Sequence, residues 1–220
     1  MKMDRVHDLQ KAFRRMVAAH SFPGRILSLA DILGGVDDDL VLPAHLCVPA
    51  MTLLDAEMGF AVASPRSDEQ SRLISQLTYA RPLPATEADF LLAGAGDNYV
   101  LAALEAAKEG TLENPHEGAT VIMEVAGMSS DDPSNAEGAW DAEAAAAGEA
   151  EDWPEWILTG PGIETRRCLR VAGSPRWADV RAERNREFPM GVDVILVDPS
   201  GRLAALPRTT KMRRTGGEAS

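Results

Sequence analysis

The stretch VDVILVDPSGRLAAL, residues 192–206, decides the fold prediction. Residues 192–197 are apolar apart from Asp193, so the strand that they predict has no face suited to water. Asp198-Pro199-Ser200-Gly201 has the composition of a tight turn, and residues 203–206 are apolar again. The stretch therefore predicts an antiparallel hairpin whose first strand lies in the interior of a sheet.

Strands and helices alternate over the rest of the chain. Apolar runs predict further strands at 59–63, 88–92, 120–125 and 156–159. Apolar spacing and capping residues predict helices that begin near Asp4, within 41–54, at Ser67 (with Gln70 at capping-box spacing), at Asp97 and at Ser174. Because several strands are too apolar for a solvated face, we expect an α/β fold. It should contain one mixed sheet, covered by helices on both faces and ending in the antiparallel hairpin.

One segment carries most of the negative charge. The chain has 220 residues and a formal net charge of −12, and nine acidic residues between 126 and 155 are accompanied by no lysine or arginine. The other residues include 25 acids and 22 bases, so the rest of the chain is close to neutral. Ala, Gly, Ser and acids dominate 127–153, which predicts an acidic low-complexity insertion within a single domain spanning 1–220.

Composition limits the location and the classes of partner. No run of 18 apolar residues occurs, so we expect no membrane span. A nearly neutral body argues against binding to nucleic acid or to an anionic membrane surface. Cys47 and Cys168 are far apart and lack the spacing of metal ligands. A reducing, cytoplasmic location is the simplest interpretation.

Familiar nucleotide and hydrolase motifs are missing. No glycine is followed directly by a lysine, which excludes the GxxxxGK phosphate loop, and no GxSxG elbow occurs. Gly94-Ala95-Gly96 lies between a predicted strand and a predicted helix, as a dinucleotide fingerprint would. Tyr99 stands where its third glycine belongs, so a plain strand-to-helix turn is favoured.

Metal and cofactor chemistry also find no support in the sequence. The four histidines are scattered without ligand spacing, so we expect no metal. A Schiff-base enzyme needs a lysine near a strand end. The lysines instead lie near the N-terminus, on predicted helices or in a basic tail: Lys2, Lys11, Lys108 and Lys211. We therefore predict neither a cofactor nor a catalytic residue.

Four short segments have a more distinctive composition than their surroundings; they lie at 21–25, 160–163, 188–193 and 206–210. Their prolines and glycines predict backbone turns at Pro23, Gly24, Gly160, Pro161, Gly162, Pro189 and Gly191. Arg208 with Thr209 and Asp193 is a candidate anion site, because a guanidinium fork matches phosphate or phosphonate oxygens. The same residues also allow Asp193 to be a partly buried acid paired with an arginine, and Arg208 to be a solvated residue at a strand end.

In this order, the segments resemble the PhnH family of the carbon–phosphorus lyase pathway. The residues that carry the resemblance are Phe13-Arg14 with Ser21 and Pro23-Gly24; Leu53-Leu54-Asp55; Ala88-Asp89-Phe90; Gly110-Thr111-Leu112-Glu113 with Pro115 and Ala119-Thr120; Gly160-Pro161-Gly162-Ile163; Phe188-Pro189 with Gly191-Val192-Asp193; and Pro207-Arg208-Thr209-Thr210. They span about residues 10–210. No single motif is specific to the family, whereas the ordered set is.

The resemblance implies a fold similar to the large domain of pyridoxal-phosphate-dependent transferases, without their cofactor chemistry. It implies an assembly with PhnG-, PhnI- and PhnJ-type subunits, and with a PhnL-type subunit. Such subunits together attach an alkylphosphonate to C1 of the ribose of ATP and displace adenine. No catalytic residue is carried over to this chain. Where relatives often have a basic residue before Pro-Gly, this sequence has Phe22, so Arg25 would have to supply any anion contact there.

Three functional hypotheses remain open from the sequence. The first is a non-catalytic assembly subunit, which we expect to form a homodimer when its partner-binding face is left bare. The second is an independent enzyme that binds a nucleotide or a phosphonate through Arg208, Thr209 and Asp193. The third is a protein that has retained pyridoxal phosphate, which the absorbance of a Schiff base would reveal.

Overall fold

The computed structural model describes residues 3–37, 39–130 and 152–215. The helices are α1 His7–Ser21, α2 Ala30–Leu33, α3 Ala44–Leu53, α4 Ser67–Thr78, α5 Asp97–Ala106 and α6 Arg176–Arg184, with a 3-10 turn at Pro115–Glu117. The strands are β1 Leu27–Ser28, β2 Gly59–Ala63, β3 Arg81–Pro82, β4 Phe90–Ala93, β5 Thr120–Glu124, β6 Met128–Ser129, β7 Glu155–Thr159, β8 Arg167–Val171, β9 Asp193–Val197, β10 Arg202–Leu206 and β11 Lys211–Arg214.

Seven strands form the main sheet, in the order β1-β10-β9-β5-β4-β2-β3. The strands from β9 to β3 are parallel neighbours, whereas β10 is antiparallel to both β9 and β1. The α/β fold, the mixed sheet and the β9–β10 hairpin are therefore confirmed. Asp198 closes the hairpin turn from a fully buried position. Its carboxylate accepts hydrogen bonds from the backbone N–H of Ser200 and from the backbone and guanidinium of Arg202.

Helices cover both faces of the main sheet, as predicted. Along β9, Val194 and Leu196 enter one hydrophobic core, while Ile195 and Val197 enter the other. The first core also contains α5 and α6, and the second contains α1, α3 and α4. The strand is apolar at successive positions because each of its faces meets a helical layer. Among the helices in the described ranges, the longest has 15 residues, and none is long and apolar enough to cross a membrane.

A second, antiparallel sheet was not predicted; its strand order is β11-β7-β8-β6. The strand expected at 156–159 belongs to it and not to the main sheet. The chain also continues past the hairpin, because the expected basic tail at Lys211 forms β11, paired with β7. Trp156 and Leu158 of β7 are buried and alternate with more exposed residues. One face of this sheet therefore completes the first core of the main sheet.

Most of the predicted acidic insertion, residues 131–151, lies outside the described residues. At its start the structure places Met128–Ser129 in β6, paired with Val171 and Arg170 of β8. Met128 is fully buried in the first core. Trp153, at the other end, lies against Gly127, where a Cβ atom would come within 2.6 Å of the indole ring. Both ends are thus fixed by packing.

Two helix starts show how far local signals reach. Asp4 caps α1 as predicted, since its Oδ1 accepts hydrogen bonds from the backbone N–H of Val6 at 2.9 Å and of His7 at 3.1 Å. The capping box of Ser67 and Gln70 is wrong. The Gln70 side chain is buried, and its amide donates to the carbonyl of Val41 at 3.0 Å, 29 residues away. Its amide oxygen accepts a hydrogen bond from the Ser64 hydroxyl, so the side chain links the segment before α4 to Val41 and does not cap Ser67.

The end of α1 and the turn after β7 lock the two sheets together. Ile163 N–H donates to the carbonyl of Gly160 across the Pro161-Gly162 turn, at 3.1 Å. Gly162 has φ +81°, and a Cβ there would lie 2.3 Å from the carbonyl oxygen of Ser21. The Arg167 guanidinium donates to the carbonyl of Pro23 at 2.7 Å. Gly24, with φ +74°, donates its N–H to Ala205 of β10 at 3.0 Å. Two glycine turns therefore set the distance between α1, β7 and β10.

We expect Gly162→Ala to lower the free energy of unfolding by about 2 kcal/mol or more, because it adds left-handed strain and a steric overlap with backbone. Gly34→Ala is the matched control. A Cβ at Gly34 meets nothing within 4 Å, and its φ of −61° suits alanine. Urea denaturation of both variants measures the difference; equal stabilities would contradict this account of the joint.

Candidate functional site

Asp193 and Arg208, the candidate anion-binding residues, bind each other. Arg208 Nη2 lies 2.6 Å from Asp193 Oδ2, and its Nε lies 3.3 Å from Oδ1 and 3.2 Å from Oδ2. The backbone N–H of Arg208 donates to Asp193 Oδ1 at 2.6 Å. The two side chains are only 15% and 21% exposed. The Arg208 guanidinium, which could bind a phosphonate through two parallel hydrogen bonds, binds the Asp193 carboxylate in that way.

The remaining donors of Arg208 also have protein partners. Nη1 donates to the carbonyl of Pro115 at 2.5 Å, and Nη2 reaches the carbonyl of Gly118 at 3.4 Å. Gly118 permits this approach, since a Cβ there would lie 2.6 Å from Arg208 Nη1 and 2.4 Å from the carbonyl oxygen of Gly191. All three guanidinium nitrogens are thus engaged within the fold. An anion at Arg208 would have to displace these partners.

Arg181 of α6, which the sequence analysis did not single out, fixes the segment that contains Arg208. Only 2% exposed, it donates to the carbonyls of Leu206 at 3.1 Å, Pro207 at 2.6 Å and Thr210 at 3.2 Å. Burial lowers the pKa of Arg181 from its ordinary value to about 10, and the negative charge of Asp193 acts in the opposite direction. Desolvation thus disfavours the charged guanidinium, while three carbonyls and a nearby carboxylate stabilise it.

Two other predicted turn residues, Pro189 and Gly191, lie in the segment that leads to Asp193. The Phe188–Pro189 peptide bond is cis, and Gly191 has φ +139°. Gly191 N–H donates to the carbonyl of Glu109 at 2.9 Å. The Asn185 side chain accepts from Val192 N–H at 2.7 Å and donates to the Val192 carbonyl at 3.2 Å. This junction of Asp193, Arg208, Arg181 and the 115–118 and 185–192 segments is called the amino-edge junction below.

Thr209 and Arg25 occupy different surroundings. The backbone of Thr209, next to Arg208, abuts Gly160, where a Cβ would lie 2.9 Å from the Thr209 carbonyl oxygen. Arg25 follows Gly24 at the end of α1, and its guanidinium lies 5.8 Å from the centre of the Phe22 ring, within cation–π range. The structure thus joins Asp193 to Arg208, sets the backbone of Thr209 against Gly160, and places Arg25 in the joint after α1. Anion binding by these residues stays a prediction.

The carboxyl edge of the parallel strands carries a second polar cluster. α4 follows β2 into one core, and α5 follows the neighbouring β4 into the other, so the sheet has a switch point between β2 and β4. Ligands of open α/β sheets commonly bind at such a point. Here Glu124, at the end of β5, accepts a hydrogen bond from Ala95 N–H at 3.1 Å. A carboxylate of the chain thus lies beside the Gly94-Ala95-Gly96 turn, where a bound phosphate would lie.

His45 of α3 completes this cluster, with Nε2 3.3 Å from Glu124 Oε1. That separation is within ion-pair distance, although the geometry does not meet that of a hydrogen bond. The two side chains are 9% and 13% exposed. Neither residue follows from a motif in the sequence. Glu124 has a signal, as the charged residue that ends an apolar strand, whereas His45 lies in an apolar helix without one.

The surroundings of the His, Cys and Lys side chains bear on metal and Schiff-base chemistry. Within residues 3–37, 39–130 and 152–215, no group of three or more His, Cys, Asp or Glu side chains could hold a metal ion. Lys108 donates to Asp89 at 2.6 Å and to the carbonyl of Glu87 at 3.2 Å. Lys11 and Lys211 are exposed. Burial raises the pKa of Cys47 to about 11, which keeps that thiol protonated at neutral pH.

Comparison with known proteins gives two matches. The family model of PhnH, described as bacterial phosphonate metabolism protein, matches residues 2–213. A protein of Stutzerimonas stutzeri named as a C–P lyase subunit, HtxG, is 36% identical over 212 residues, which cover 94% of this chain and 87% of that relative.

We expect Arg208→Ala to lower the free energy of unfolding by about 3 kcal/mol, because it leaves the mostly buried Asp193 carboxylate without its cation. Arg186→Ala is the control, since the Arg186–Glu183 pair is 66% and 63% exposed. Its loss should cost less than about 0.5 kcal/mol. Thermal unfolding followed by circular dichroism compares the two; an Arg208 variant as stable as the control would contradict a structural role.

Proposed function

Because this chain belongs to the PhnH family of bacterial phosphonate metabolism proteins, we propose that it is a non-catalytic subunit of the carbon–phosphorus lyase core complex. Its role is to help the assembly form ribose 1-phosphonate 5-triphosphate from ATP and an alkylphosphonate, with displacement of adenine. Its partners are PhnG-, PhnI- and PhnJ-type subunits, and a PhnL-type subunit. The reaction, a transferase step in the cytoplasm, belongs to the assembly and not to this chain alone.

One observation carries the proposal: the family match covers residues 2–213, nearly the whole chain. The relative named as a C–P lyase subunit aligns over 94% of this chain, so the similarity is not confined to one shared motif. We also propose, from the same membership, that the main sheet is similar to the large domain of pyridoxal-phosphate-dependent transferases.

The geometry supports a subunit more than an independent enzyme. Arg208 and Asp193 bond to each other, and Arg208 bonds to backbone carbonyls as well. An independent enzyme that used them would first have to open the amino-edge junction. Several large apolar side chains are exposed instead: Val6, Phe13, Val17, Phe22, Tyr79, Leu112 and Phe188. Val6, Phe13 and Val17 of this set follow one side of α1, and a contiguous exposed apolar surface is typical of a protein that binds other proteins.

Co-expression with the PhnG-, PhnI- and PhnJ-type proteins of the same source tests the proposal. We expect a tagged form of this chain to recover the three partners in fixed stoichiometry through affinity and size-exclusion steps. The control tags a partner subunit instead. If the partners assemble with one another while this chain elutes alone, the subunit function is wrong, and an independent ligand-binding role gains support.

In isolation we expect the chain to form a homodimer, since a bare partner-binding face tends to pair with itself. Sedimentation velocity over a dilution series measures the association. A species of twice the chain mass that dissociates only at low concentration is the expected result. A monomer at every concentration would contradict the homodimer and leave the proposed assembly with other subunits unaffected.

A further inference from the structure

Three large apolar side chains are exposed along one side of α1 and of the residue that precedes it. Val6, Phe13 and Val17 are 74%, 50% and 47% exposed, while Ala12, Met16 and Ala19 fill the buried face. Together with exposed Gln10 and half-buried His20, they recur at alternating spacings of four and three. That spacing forms the seam by which one helix packs along another. Val6, Gln10, Phe13, Val17 and His20 are called the outer seam.

A groove runs beside the outer seam. It has a volume of about 370 Å³, opens to solvent, and is lined by Phe13, Met16, Val17, His20, Ser21 and Leu53. Leu53, the last residue of α3, forms its far wall. The seam and the groove together offer an elongated apolar channel, which fits the apolar side of a helix better than a compact small molecule.

The opposite border of the seam is basic. On a helical projection, Arg14 and Lys11 follow the seam on the side away from Leu53. α1 contains Lys11, Arg14 and Arg15 but only one acid, Asp8, in a chain whose net charge is −12. Arg15 pairs with Asp31, and Lys11 Nζ lies 3.6 Å from Asp8. Arg14 is exposed, and no ion pair with another of the described residues engages it.

The basic residues beside the outer seam determine which kind of helix can bind there. A second copy packed antiparallel across Phe13 would bring its own Arg14 toward Arg14 of the first, and like charges at a helix pair are unfavourable. A helix with acidic side chains along one border of its apolar stripe would complement the basic border. The occupant is therefore better matched by another kind of subunit than by a second copy.

We propose that the outer seam and its groove bind an amphipathic helix of another subunit of the assembly, one whose apolar stripe is bordered by Asp or Glu. This inference rests on the proposed function, because it needs a partner subunit. It adds the face that binds, the secondary structure of the bound element and the charge of its border.

The test compares variants in the same co-purification. Val17→Asp places a charge in the seam, and Arg14→Glu reverses the basic border without removing a packed side chain. We expect each variant to lower the recovery of partner subunits at least tenfold, and Arg14→Glu to act more strongly at low than at high ionic strength. Arg186→Glu is the control, since it reverses the charge of a residue that is 66% exposed and lies outside α1, and it should recover the partners as the wild type does.

The outcomes separate the inference from the proposed function. Circular dichroism melting first establishes that each variant folds; Arg14→Glu, on an exposed residue, keeps the test open if Val17→Asp does not. Wild-type recovery by both folded seam variants would overturn the inference and leave the subunit function intact. So would loss of a homodimer with full retention of the partners, because the seam would then be a self-pairing face. A wild-type chain that recovers no partner would instead overturn the proposed function.

Discussion

The ion pair between Asp193 and Arg208 is the contact on which the rest of the architecture depends. Asp193 is the first residue of β9, an interior strand of the main sheet, and Arg208 follows β10 on the way to β11 of the second sheet. Their bond, together with the three carbonyls held by Arg181, fixes how the chain leaves one sheet and enters the other. The positions of β11 and β7 follow from that path.

This constraint changes the meaning of the residues that identify the family. The prolines and glycines that carry the resemblance, with Asp193 and Arg208, lie in turns and in the amino-edge junction, where they contact the protein itself. Phe13 and Arg14 differ, because they lie on the exposed side of α1. The turn and junction residues specify the fold, while the surface remains available for partners. An assembly subunit requires that combination of a firmly specified frame and an exposed apolar face, here on α1. The polar cluster of His45 and Glu124 is likewise closed by its own chain.

The limits of prediction from the sequence follow from the range of the interactions. β9 was predictable because its successive residues are apolar and meet a hydrophobic core on both faces of the sheet, so the strand's own sequence is enough to identify it. The second sheet was not, because Lys211–Arg214 is a basic, exposed strand whose only signal is its pairing with β7, more than 50 residues earlier. Arg181 was missed for the same reason, since its partners are 25 to 29 residues away. Gln70 was assigned to a local capping box, whereas its amide donates to the carbonyl of Val41, 29 residues away. Asp193 and Arg208 were predicted to be neighbours, but only the structure shows that they engage each other.

Isothermal titration calorimetry of the isolated wild-type chain with ATP and with methylphosphonate decides whether the chain acts alone. The residues best suited to an oxyanion, Asp193 and Arg208, are already bound to each other within the fold, so the chain acts through other subunits. We therefore expect no saturable heat from either ligand. Saturable binding of ATP or methylphosphonate by the chain alone would show that it has an independent site and would overturn this conclusion.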